Sequence, residues 1–178
     1  RFVVIELLDL IKAEGKTDRP LRIADVGTGS GCIAICAAKQ LSQSRVIAID
    51  QSAEALAIAR RNAANHQVAD RIEFQQDDLL TGLAGGEPFD FIVSNPPYVT
   101  IEEYGQLSAA VREHEPRDAL VAGESGTEVI DQLVSQAADC LIAYGWLIFE
   151  ISPMIAADVR NLIEDSGLWQ SCEIVRDL

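Results

Sequence analysis

Long apolar runs, cationic residues, histidines and paired cysteines are all scarce or missing in this 178-residue chain. No stretch approaches the roughly 20 apolar residues needed to cross a bilayer, so the chain reads as soluble with no membrane partner. Lys and Arg number 14 against 28 Asp and Glu, a formal net charge of −14. Affinity for phosphate backbones comes largely from Lys and Arg, so no direct nucleic-acid contact is expected. Cys32, Cys36, Cys140 and Cys172 form no CxxC pair, and neither His66 nor His114 stands at zinc-ligand spacing from them. No metal site is expected. Cys32 and Cys36, one helical turn apart beside Ile33 and Ile35, read as small buried thiols, because an i,i+4 helical pair bridges poorly. All four read as reduced, which fits a cytoplasmic protein. The P-loop pattern ending in Gly-Lys-Ser/Thr is absent too.

What is present is ordinary globular composition, 48% hydrophobic and 24% charged, enough for one domain with a substantial core. Residues 3–13, VVIELLDLIKA, carry apolar positions along one helical face, and EGKTDRP reads as a loop. From residue 21 strands and helices alternate. LRIADVG is a strand, TGSG a turn and CIAICAAKQL a helix; RVIAID is a strand, and Ser52 caps the helix AEALAIARRNAANH. RIEFQQDD and FDFIVSN follow as strands, then a long polar stretch, a helix over about 127–143, the strand WLIFEIS, a helix ended by Gly167, and a last strand CEIVRDL. This alternation predicts an α/β, Rossmann-like doubly wound and mostly parallel sheet with helices on both faces. The chain begins at Arg1 and stops after CEIVRDL, and both ends read as cut.

Doubly wound sheets bind ligands beyond the carboxyl ends of their strands, near the point where strand order reverses. Those ends read DVGTGSG, AID, QQDD, SNPPY and EIS. Gly27, Gly29 and Gly31 make a GxGxG turn, but a dinucleotide fingerprint wants a small third residue at position 32, which is Cys32. Asp25, two residues before the first glycine, suits a ligand carrying a positive amino group better than a pyrophosphate, which points to S-adenosylmethionine. Asp50 stands where ribose hydroxyls are accepted, and Asp78 where an adenine amino group would sit. Each has a plainer alternative: Asp25 satisfying loop amides, Asp50 next to Gln51 and Ser52 capping a helix, Asp77 and Asp78 making a solvated turn.

ADVGTGSGCIA, AIDQS, QQDDLL and above all VSNPPY resemble the class I S-adenosylmethionine-dependent methyltransferases. Asn-Pro-Pro-Tyr is shared by enzymes that methylate amide or exocyclic amino nitrogens: N6 of adenine, N2 of guanine, N5 of glutamine. HEPRDALVAGESGTEVI, through Glu115, Pro116, Ala119 and Leu120, resembles the segment that follows Asn-Pro-Pro-Tyr in HemK-like glutamine methyltransferases of peptide chain release factors, and IELLD resembles their domain junction. Ser152 stands where that family commonly has a glycine. The resemblance implies a seven-stranded-type sheet with its last strand cut off. It makes residues 1–20 a lead-in helix and linker from a preceding helical domain, and 21–178 the catalytic domain. It implies S-adenosylmethionine held by Asp25, Gly27, Thr28, Gly29, Ser30, Gly31, Asp50, Gln51, Asp78, Leu79 and Asn95, leaving S-adenosylhomocysteine as product; the chain's acidity suggests a monomer. The implied substrate is the glutamine of a release factor's Gly-Gly-Gln motif; a ribosomal-protein glutamine is the near alternative, a nucleic-acid amino group the distant one.

An amide nitrogen is a poor nucleophile because its lone pair is delocalised, so catalysis has to orient it. The Asn95 side-chain carbonyl and the Pro96 backbone carbonyl can each accept one proton of the target NH2. Pro96 and Pro97 fix their own φ and restrict the residue before them, which stiffens those acceptors. Tyr98 offers a ring to pack on a planar amide or on a base. The plainer readings are a turn closed by Asn95 and a partly buried core Tyr98.

Overall fold

The computed structural model describes residues 2–108 and 116–176. The chain divides into two units, residues 1–95 with 139–150, and residues 96–138 with 151–178.

The first unit is built on five parallel strands in the order β3-β2-β1-β4-β7: β1 (Arg22–Val26), β2 (Arg45–Asp50), β3 (Ile72–Gln76), β4 (Phe89–Ser94) and β7 (Leu141–Phe149). Register lines up Ile72, Val46, Ile23, Phe91 and Trp146, and two residues on Phe74, Ala48, Asp25, Val93 and Ile148. Alternate residues of a strand face one side of a sheet, so these two rows form one face. Apart from Asp25 every member is apolar, and they join a core with Val3, Leu7 and Ile11 of α1 (Phe2–Ala13), Ala34, Ile35, Ala37 and Ala38 of α2 (Cys32–Gln40) and Ala63 of α3 (Ala53–Asn65). The i,i+4 spacing of Val3, Leu7 and Ile11 is one stripe of a helix, which is why the lead-in helix packs on the sheet. Ala24, Ile47, Ile49 and Ile92 on the alternate face are buried as well, so these strands are shut from water on both sides. At the amino ends of the strands Asp90 accepts from Arg19 Nη2 at 2.5 Å and from the Arg22 amide at 2.9 Å.

The second unit holds a two-stranded parallel ladder, β5 (Val99–Thr100) with β6 (Val121–Gly123), and the helices α4 (Ile101–Gln106), α5 (Glu128–Cys140) and α6 (Ala156–Ser166). The last two residues of α5 fall in the first unit. α6 stops at Gly167, whose φ of 64° is the left-handed stop expected of a glycine there.

The elements differ from the sequence reading at four places. The polar stretch after SNPPY contains β5, α4 and β6, and its signal was a capping box: Thr100 accepts from the Glu103 amide while Glu103 accepts from the Thr100 amide. The helix expected to run to 143 ends at Cys140, and the strand expected at Trp146 begins at Leu141, because β7 carries a bulge between its pairings of Leu141 with Phe89 and Trp146 with Phe91. Residues 171–176 form no strand; they pair with none of the described strands, and the Cys172 carbonyl instead accepts from Arg160. Cys32, expected to be buried, is exposed at the first position of α2, while Cys36 is half-buried and Cys140 buried. Glu115 and His114 lie outside the described residues. Among the described residues no helix is long and apolar enough to cross a membrane.

Candidate active site

β3 and β2 lie on one side of β1, and β4 and β7 on the other, so strand order reverses between β1 and β4. Val26 is in register with Ile49 and with Ser94. The glycine turn after β1, Asp50 ending β2 and Asn95 after β4 therefore emerge side by side at that reversal, the place where such sheets bind ligands. The Ser94 hydroxyl donates to the Val26 carbonyl at 2.8 Å, tying the two strand ends together.

The turn is held by backbone and carboxylates. Thr28 N–H donates to the Ile49 carbonyl at 2.9 Å, and Gly31 N–H to the Thr28 carbonyl at 2.9 Å. Gly31 has φ 84°, and a Cβ there would lie 3.0 Å from Ala59 Cβ, so its missing side chain lets α3 pack on the start of α2. Gly27 and Gly29 have nothing within 4 Å of where a Cβ would stand. That open space is what a ligand needs to approach the backbone. Ser30 is exposed, with its carbonyl accepting from Asn62 Nδ2 at 2.9 Å.

Asp25 is the one carboxylate in the apolar face, and it is fully buried. Oδ2 accepts from the Thr28 hydroxyl at 2.6 Å and the Ala34 amide at 2.9 Å, while Oδ1 is buried without a hydrogen-bond partner. Burial pushes its carboxyl up to about 6; the bonds from Thr28 and Ala34 oppose this, and the charge of Asp50 adds to it. Asp25 thus satisfies turn donors, as its plainer reading had it, and still keeps an unused oxygen. Asp50 is half-buried: Oδ2 accepts from Gly29 N–H at 2.8 Å and Oδ1 from Ser52 N–H at 2.9 Å. Ser52, not Asp50, caps α3, accepting from Ala55 N–H at 3.2 Å. A carboxylate has about four lone-pair sites, so Asp50 can take further donors.

Beyond β3, Asp78 is exposed and its backbone carbonyl accepts from Thr81. The neighbour Asp77 shapes the loop: its carboxylate accepts from Asp78 N–H at 2.8 Å and Gly82 N–H at 2.8 Å, and its own amide donates to the Asp50 carbonyl at 3.1 Å. The sequence reading weighed Asp77 only as solvated; the glycine five residues on was the cue to a loop folded over a carboxylate. Leu79 holds φ at 53°, uncommon for a residue with a side chain. Gln51 is exposed, and its carbonyl accepts from Gln76 Nε2 at 3.0 Å.

Asn95 is exposed and closes the first unit; Pro96 is buried, Pro97 and Tyr98 are half-buried, and these three open the second. In that unit Tyr98, Val99, Glu103, Gln106, Leu107, Ser152, Met154 and Ile155 line a cavity of about 280 Å³. Ser152 caps the turn Pro153–Ile155 by accepting from Met154 N–H at 3.2 Å.

The glycine turn after β1 and Asn95 after β4 flank the strand reversal, the position at which doubly wound sheets bind ligands. Residues 7–112 match the family model described as "Methyltransferase small domain", and the chain belongs to that family. It is 44% identical over 177 residues to the release factor glutamine methyltransferase of Rhodopirellula baltica, covering 99% of this chain and 60% of that protein. It is 48% identical over 170 residues to the release factor glutamine methyltransferase of Chlorobaculum tepidum, covering 93% of this chain and 57% of that one. The chain thus spans about 60% of the length of the curated relatives it matches. Among solved structures, the ribosomal protein L11 methylase of Lactobacillus delbrueckii subsp. bulgaricus is similar, with a TM-score of 0.61 at 26% identity over 89% of this chain and 65% of that one.

Proposed function

We propose that this chain is the catalytic domain of an S-adenosylmethionine-dependent methyltransferase acting on the side-chain amide nitrogen of glutamine in the Gly-Gly-Gln motif of a peptide chain release factor. The observation that carries this reading is Asn95, exposed and followed by two prolines, directly after Ser94, which is in register with the Val26 that precedes the glycine turn. The names of its relatives supply the acceptor: both proteins cited above at 44% and 48% identity are release factor glutamine methyltransferases. The enzyme works as a cytoplasmic monomer.

The residues fit the cofactor. Gly27 and Gly29 are unobstructed, Asp25 has an unpartnered oxygen for the field of an ammonium group, and Asp50 has lone pairs left for ribose hydroxyls. Thr28, Ser30 and Gly31 shape the turn; Gln51, Asp78 and Leu79 would hold the adenosine, and Asn95 would face the methyl end. The bound cofactor supplies an electrophilic methyl carbon on a sulfonium centre, and S-adenosylhomocysteine leaves as product. The Asn95 side-chain carbonyl and the Pro96 backbone carbonyl would accept hydrogen bonds from the two N–H groups of the target glutamine amide, which would turn the nitrogen lone pair toward the methyl carbon. Tyr98 packs on the amide plane. Transfer would form the nitrogen–methyl bond as the methyl–sulfur bond breaks with its electron pair going to sulfur, and the nitrogen would then give one proton to water, so positioning and electrostatics, not a general base, would carry the rate.

The test is incubation of the protein with radiolabelled S-adenosylmethionine and, separately, purified release factor, ribosomal protein and DNA. Label on the release factor, lost when its Gly-Gly-Gln glutamine is changed to alanine, is the expected result. Label on ribosomal protein alone would move the chain to the activity named for its L11-methylase neighbour, and label on DNA alone would overturn the glutamine reading.

A further inference from the structure

The segment after the acceptor motif does more than fill sequence between α4 and α5. The peptide group joining Tyr98 to Val99 is hydrogen-bonded at its N–H and closely approached at its carbonyl. Its N–H donates to the Leu120 carbonyl at 2.9 Å, at the start of the β5–β6 ladder. Its carbonyl faces Gly126, where a Cβ would lie 2.8 Å from the Tyr98 oxygen, 3.4 Å from Thr100 Cγ2 and 3.7 Å from Ile155 Cγ2. Gly126 has φ 81°, so both its backbone and its bare Cα are required there.

The loop that presents Gly126 is wound around one carboxylate. Glu128, first residue of α5, accepts from Ser125 N–H at 2.8 Å, and a Cβ on Gly123 would collide with that carboxylate. Burial alone would push the Glu128 carboxyl up, but the amides it accepts from, Ser125 foremost, hold it below the usual carboxylate range. On the other side of Tyr98, Pro96 and Pro97 fix φ. Tyr98 is thereby clamped between two prolines and a locked peptide.

We propose that Gly126 and Glu128 are positioning residues for Tyr98, so that the 120–128 segment sets the ring that receives the acceptor's planar group. This rests on the proposed role of Tyr98 in methyl transfer. Neither residue touches the reacting atoms.

Gly126→Ala in the full chain is the test. Ordinary van der Waals contact begins near 3.4 Å, so the new methyl displaces the Tyr98 carbonyl by about half an ångström. A misplacement of that order costs up to roughly 100-fold in rate. The expected result is a kcat fall of about 10- to 100-fold on whichever acceptor the unaltered chain labels, with an unchanged S-adenosylmethionine Kd. Gly85→Ala is the control: its φ of 76° carries a similar backbone cost, but nothing lies within 4 Å of its Cβ, so kcat stays at the wild-type value. In protein labelled with 3-fluorotyrosine, whose Tyr98 resonance is assigned by Tyr98→Phe, that resonance shifts in Gly126→Ala and not in Gly85→Ala. An unmoved resonance or wild-type kcat in Gly126→Ala overturns the proposal; a wild-type chain that labels no glutamine overturns only the substrate reading. If Gly126→Ala does not fold, Glu128→Ala decides: kcat lost there and restored in Glu128→Gln, which still accepts from Ser125 N–H, supports the clamp, and undiminished kcat refutes it.

Discussion

Replacing Asp25 by asparagine probes the one charge buried in the sheet's apolar face. Its carboxyl titrates near 6 in the folded chain against 3.8 for a free side chain, chiefly through burial. The folded chain keeps the proton after the unfolded chain has released it, so over this window the unfolded state binds fewer protons and stability falls as pH rises. Integrated from pH 4 to pH 7, the loss is about 2 kcal/mol. Asp25→Asn has no proton to lose, and its amide oxygen still accepts from Thr28 and Ala34. Urea unfolding of both proteins at pH 4, 5, 6 and 7 should therefore show wild type losing about 2 kcal/mol relative to the variant across the series. The other acids titrate in both proteins and cancel in the difference.

The same proton gives a binding signature. With the amino group of S-adenosylmethionine above the turn, as proposed, its positive charge would favour ionised Asp25, so binding at pH 5 would first have to remove the proton. The Kd should be about tenfold weaker at pH 5 than at pH 7.5 in wild type and pH-independent through this window in Asp25→Asn, as read by calorimetry. The donor's own α-amino group, with a pKa of about 8, stays charged until the upper end of that range. A wild-type minus variant difference in unfolding energy that is flat with pH refutes the buried-carboxylate argument, and equal pH profiles of Kd refute the placement of the donor's amino group.

Two further substitutions separate cofactor holding from acceptor holding. Asn95→Ala should leave S-adenosylmethionine affinity near wild type and lower methyl transfer by about 100-fold or more, because the acceptor nitrogen loses one of its orienting carbonyls; undiminished single-turnover transfer would remove Asn95 from the mechanism. Asp50→Ala should weaken S-adenosylmethionine binding and also cost about 1–3 kcal/mol in unfolding experiments, since the amides of Gly29 and Ser52 lose their acceptor; an unchanged Kd would leave Asp50 a purely structural residue.

Strand ends that alternate with helices are strongly patterned, because a parallel strand buried on both faces is a nearly unbroken apolar run such as RIADV or FDFIVS. That pattern made the succession of the sheet's strands legible, and with it the carboxyl ends that carry Gly27, Asp50 and Asn95; the strand order that puts the reversal between β1 and β4 comes from the structure. The bulge in β7 and the β5–β6 ladder were not legible, because both depend on pairing with residues distant in sequence and are held by few residues of their own. The same limit explains Asp25 and Asp77. The sequence left Asp25 open between a ligand contact and loop amides and offered only solvation for Asp77, and the turn contacts of each carboxylate follow from the donors it meets. Thr28 and Ala34 reach Asp25 from the turn and from α2, and Gly82 reaches Asp77 from across a loop. Gly126 extends the point to the acceptor side. A glycine in a polar stretch reads as a turn until the Tyr98 carbonyl is found against it, and only that contact converts a turn residue into one that governs a ring 28 positions earlier in the chain.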